Sequence, residues 1–163
     1  MKSIETKAKS RFIWGADIKV TAFDLKGKVI DVQEFHNLIM TVGKNMFRDA
    51  LQGVVTDSKI KRLGIGGTNT APAVGQTTLF SEFFRKAITS YAPGATGIIV
   101  STTYIAPYEA NTPKIEELGW FAGVLATDTT DSGIMVSRVL YSRQKTELES
   151  LQIVRTDTIS EVV

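Results

Sequence analysis

There is no cysteine among the 163 residues. That alone excludes disulfides and thiolate metal sites, so stability must come from packing or from association. Long hydrophobic runs are missing as well. No apolar stretch approaches the roughly 18 residues that a bilayer-crossing helix needs. The opening MKSIETKAKSR has the basic start of a secretory signal but no apolar segment behind it, so neither secretion nor membrane insertion is expected. Histidine is reduced to His36, and no order of serine and carboxylate around it marks a nucleophilic site. Charge of one sign is scarce too. The formal net charge of +2 is too small to imply a nucleic-acid partner.

What is present suits one globular domain: 43% hydrophobic and 22% charged residues over a chain long enough to bury a core. The basic residues are unevenly placed. Lys2, Lys7, Lys9 and Arg11 face Glu5 alone within the first eleven positions. The expected division is an N-terminal arm over 1–17, lying on a neighbouring subunit, and a single β-rich domain over 18–163.

Short strand patterns dominate. Ile18, Val20 and Ala22 alternate with polar neighbours, LKGK turns the chain with Gly27 supplying a positive φ, and Val29 to Gln33 returns. One helix is predicted over about 41–52, with Thr41 as its cap, Gly53 at its C-terminal turn, and Val42, Met46 and Ala50 on the apolar side with Phe47 and Leu51, the pair that meets a sheet. Strands follow at Ile60–Ile65, Ile98–Ala106, Lys114–Val124, Gly133–Tyr141 and Leu151–Val163, punctuated by Gly, Pro, Asn and Asp. The fold class is mainly β: an antiparallel β-sandwich or barrel with one α-helix packed on it.

The stretch IKRLGIGGTNTAPAVGQTTLFSEFFRKAI, residues 60–88, carries the most specialised backbone chemistry. Gly64, Gly66 and Gly67 read as positions of unusual backbone angles, Pro72 fixes its own φ, and Thr77 or Thr78 reads as the cap of a short helical turn supported by Glu82. A loop built this way binds something or docks on a neighbour. It is not a phosphate cradle, because GIGGTNTAP lacks the Lys-Ser/Thr end of a P-loop and has Asn69 where a dinucleotide fingerprint needs glycine. Glu116 and Glu117 are adjacent on a strand, face opposite sides and cannot act as an acid/base pair. Asp128 and Asp131 in TDTTDSG fall short of a calcium cage and read as a solvated turn. Phe80, Phe83, Phe84, Trp120 and Phe121 read as core residues, not nucleic-acid stacking platforms. No catalytic, cofactor or metal residue emerges, and the chain is expected to be non-enzymatic.

Four segments together, NLIMTVGKNMFRDALQG, IKRLGIGGTNTAPAVGQTTLFSEFFRKAITS, IEELGWFAG and IMVSRVLYS, resemble a group of small virion proteins of tailed bacteriophages, described as tail-fibre or baseplate-associated. The likeness runs from about Asn37 to the C-terminus and leaves the first hairpin and basic arm outside it. It implies a structural subunit made in the host cytoplasm, resident in the virion, and partnered by copies of itself and by other virion proteins. A capsid decoration protein is the alternative within that class. From another class, a carbohydrate-binding module would need Trp120, Tyr104 and Tyr108 on one exposed face. The expected subunit interface comprises Lys2, Lys7, Arg11, Thr68, Asn69, Pro72, Val74 and Val162. The last of these lies on a terminal strand able to extend a neighbour's sheet.

Overall fold

Gly27 turns the first hairpin with φ +79°, as its place in LKGK predicts. Asp24 completes the turn by accepting backbone N–H bonds from Lys26 and Lys28, both at 2.9 Å. The computed structural model describes residues 11–162. The hairpin joins β1 (Arg11–Asp24) to β2 (Val29–His36), and the inward Ile18, Val20 and Ala22 are each almost fully buried. β1 begins at Arg11, so residues 11–17, assigned to the arm on sequence, belong instead to a strand of the domain.

The remaining elements are β3 (Leu38–Ile39), α1 (Thr41–Leu51), β4 (Ile60–Gly66), β5 (Glu82–Ala87), β6 (Ser90–Pro93), β7 (Ile98–Ile105), β8 (Ile115–Ala122), β9 (Ile134–Arg143) and β10 (Glu149–Val162). They form two antiparallel sheets, ordered β2-β1-β10-β7-β6 and β3-β9-β8-β4-β5. Strands make up 53% of the described residues, and both sheets keep open edges, so the sandwich is realised and the closed barrel is not. β10 sits at the centre of the first sheet, between β1 and β7. The core lies between the layers. Ile18, Val20, Ile105, Leu151 and Ile153 of the first sheet meet Leu63, Ile65, Leu118, Trp120, Val136 and Tyr141 of the second. Each fully buried aliphatic or aromatic side chain there contributes roughly 1.5–3 kcal/mol.

The helix forms where expected, and Gly53 follows it with φ +73°. Its N-cap is Met40, in extended geometry and without a side-chain cap bond, and Thr41 is the first helical residue. The buried face differs in part from the expected one, with Met46 buried as expected. Gly43 and Met46 are buried, while Leu51 is 76% exposed. A Cβ on Gly43 would lie 2.8 Å from the backbone oxygen of Val136, so α1 approaches β9 along the line where it has no side chain. Phe47 is left at the margin, its ring 5.8 Å from that of Trp14.

The short helical turn expected at Thr77 or Thr78 does not form: residues 67–81 are an irregular loop. Phe80 is accordingly 54% exposed and not core, whereas Trp120 and Phe121 are buried as expected. No helix among the described residues is long and apolar enough to cross a membrane.

Candidate docking surface

The glycines of β4 are explained by space, not by backbone angle, since neither Gly64 nor Gly66 has a positive φ. A Cβ on Gly66 would lie 2.3 Å from Glu117 Oε1, and one on Gly64 would lie 2.9 Å from Glu82 Oε1. Both carboxylates belong to ion pairs sealed within the second sheet. Glu117 and Arg138 are fully buried and meet at 2.6 Å. Glu117 also accepts the backbone N–H groups of Phe80 and Ser81 at 3.1 and 3.2 Å. Arg138 donates to the Thr70 carbonyl at 2.7 Å and to Gln76 Oε1 at 3.1 Å. The loop is therefore pinned onto its own sheet by one buried pair. Beside it, Glu82 and Arg85 meet at 2.5 Å, and Glu82 Oε2 accepts the Asp131 N–H at 2.8 Å. Burial, and then the Glu82 charge, push the Asp131 carboxyl above its ordinary range.

Arg11 and Val162 are brought together as the first register pair of β1 and β10. Thr68 is half-buried and Asn69 exposed in the loop. Pro72 lines a shallow hollow with Phe35, Leu38 and Arg138. Val74 is half-exposed, and its carbonyl accepts the Thr41 N–H at 2.8 Å. Lys2 and Lys7 lie outside the described residues. The expected interface thus falls into two groups, a strand end and a pinned loop. His36 has its Nδ1 2.5 Å from Asp17 Oδ1, with both side chains well exposed. Trp120 is 1% exposed while Tyr104 and Tyr108 are 42% and 78% exposed, so these three rings make no common sugar-binding platform.

Sequence reasoning passed over Phe12, Ile13 and Trp14. Past Ala16, whose N–H and C=O are both bonded to Asn37, β2 no longer accompanies β1. On the other side, β7 pairs with β10 only as far as Thr158. The first residues of β1 and the last of β10 therefore continue as a two-stranded ribbon. Phe12 is 76% exposed on it and Ile13 52%. Beneath the ribbon, Trp14 donates its Nε1–H to Asp157 Oδ1 at 2.9 Å, and Arg155 holds the same carboxylate from the core. Two apolar hollows flank Trp14. One of about 270 Å³ includes Met46, Phe47, Ile60, Tyr91 and Ile159, and one of about 240 Å³ includes Phe12, Ile39, Phe47 and Ile159. A third, also about 240 Å³, is lined by Val54, Val124 and Leu125, each more than two-thirds exposed.

Set against known protein families, curated proteins and solved structures, the chain matches none. Its surface is consequently read from chemistry. Exposed apolar side chains gathered around hollows and along a strand end characterise a surface that is covered in use. A signal was present in the run FIW, but it stood in a segment that its lysines marked as an arm.

Proposed function

We propose that this protein is a non-enzymatic structural subunit of a tailed-phage virion that works by docking against other subunits in the tail, fibre or baseplate. The supporting observation is the β1–β10 ribbon, which carries Phe12 and Ile13 into solvent above apolar hollows. A domain that exposes large apolar side chains beside apolar hollows gains free energy by covering them, at about 25 cal/mol per Å². The place in the particle comes from the likeness of residues 37–163 to small phage virion proteins. A rigid sandwich with a loop tied down by Glu117 and Arg138 is well made for holding a surface in one position.

Two measurements test this. Light scattering of the purified protein should show a concentration-dependent oligomer. Antibody labelling of phage particles should place a small number of copies at the tail. Hundreds of copies spread over the head would transfer the protein to the decoration class. A permanent monomer absent from particles would remove the reading altogether.

A further inference from the structure

Exposed strand edges invite pairing with other chains, and folded proteins guard them with charge, proline, bulges or brevity. The outermost strands here carry such guards. β6 ends in Pro93, β3 is two residues long, and β5 carries Lys86 and has a register shift opposite Ile65 and Gly66. β2 carries Asp31 and Glu34 and has a register shift opposite Ala22 and Phe23. The outer edge of β1 from Phe12 to Gly15 has no proline, bulge or charge. Ala16 directs its backbone groups outward to Asn37, so by alternation Phe12 and Trp14 direct theirs to the same edge. No strand among the described residues lies there.

We propose that two copies of this chain pair antiparallel through this edge, about a two-fold axis at Ile13. The proposal rests on the docking reading above and names its partner, a second copy. In this register Phe12 of each copy lies opposite Trp14 of the other, and each such pair exchanges both backbone hydrogen bonds. Arg11 lies opposite Gly15, where a Cβ would meet nothing within 4 Å, leaving room for the arginine stem. Arg11, Gly15 and Asp17 share the outer face of β1, so each guanidinium points along the strand toward the exposed carboxylate of Asp17 in the second copy. A parallel pairing would instead set Arg11 beside Arg11. On the inner face, Phe12 covers Trp14 of the second copy and the hollows beside it. An antiparallel edge is self-complementary, as a two-fold interface requires. Its few residues per side fall below the roughly 20–30 of a standard interface, so the dimer forms in a concentration-dependent way.

The absence of cysteine makes the test direct. Residues facing each other in a non-hydrogen-bonded antiparallel pair have Cα atoms about 4.5 Å apart, within disulfide reach. Under mild oxidation the full chain carrying Ile13→Cys should become a covalent dimer. Lys19→Cys, on the same face but remote from the axis, should remain monomeric on a non-reducing gel. Ile13→Lys should weaken dimerisation at least tenfold by sedimentation without changing the circular dichroism spectrum or the melting temperature. Cross-linking of Ile13→Cys no faster than that of Lys19→Cys would overturn the edge pairing. If the unaltered protein still formed oligomers in that case, the docking reading would survive through another surface. A protein monomeric throughout and missing from particles would remove both.

Discussion

Glu117 and Arg138 are the residues on which the second sheet and its loop depend together. Neither carries a free charge: the carboxylate takes a guanidinium and two backbone N–H groups, and the guanidinium takes a carbonyl and an amide oxygen besides. Removing one partner strands the other in the core, which costs about 3–5 kcal/mol. Glu117→Ala should therefore lower the urea midpoint by an amount corresponding to that loss and release residues 67–81 to rapid amide exchange. Asp131 supplies a pH-dependent counterpart. Its carboxyl titrates above the ordinary 3.8 in the folded protein because burial and Glu82 disfavour its charge. Its contribution to stability is thus complete below pH 3.8 and is lost as pH rises through the elevated folded value. Asp131→Asn keeps the left-handed backbone, φ 56°, that asparagine tolerates. It should raise the urea midpoint at pH 7, with the difference from the unaltered protein vanishing near pH 3.5. The carboxylates also show where the sequence was illegible. Gly64 and Gly66 stand out in print, but their reason is side chains on other strands, Phe121 and Glu82 at Gly64 and Glu117 at Gly66, which spacing along one chain does not reveal.

Among the elements, those whose pattern is local were legible. The β1–β2 hairpin follows from alternation around LKGK, and α1 ends at Leu51 with Gly53 just beyond it, as its sequence indicates. Periodicity placed the helix and its buried Met46 but misjudged Leu51, because the closest approach is set by a missing side chain and not by the largest ones. Gly43 is the contact point against β9. A methyl group there must displace the Val136 backbone, and such overpacking costs typically about 1–3 kcal/mol. Gly43→Ala should lower the thermal midpoint accordingly, although alanine is the better helix former. Leu51→Ala should change stability by no more than about 0.5 kcal/mol, as expected at an exposed site. Calorimetry of the two variants side by side tests the orientation of the helix. The strand β6 and the non-helical path at Thr77 and Thr78 escaped the sequence for a related reason. SYAP has no alternation of its own and becomes a strand only because β7 offers it an edge.

On the scale of the whole molecule, the two long terminal strands organise the first sheet. β1 and β10 pair over their full lengths, from Arg11–Val162 to Asp24–Glu149. Contacts so distant in sequence must close a long loop before they are rewarded, which places this fold among slow, β-type folders. β10 cannot be removed without separating β2-β1 from β7-β6. Deleting Met1 to Ser10 removes no residue of the described strands and should leave the circular dichroism melt unchanged. It also removes Lys2, Lys7 and Lys9 against Glu5 alone, a positive charge that precedes Arg11 in the sequence. If that charge helps hold an acidic neighbouring surface, the truncated protein should assemble less readily. The deficit should be greatest at low ionic strength, where the Debye length reaches about 30 Å, and should shrink at about 1 M salt, where it is about 3 Å. Light scattering over a salt series measures this directly. A truncated chain that melted earlier would show that the leader supports the domain itself, and one that assembled identically at every salt concentration would leave docking to the apolar edge alone.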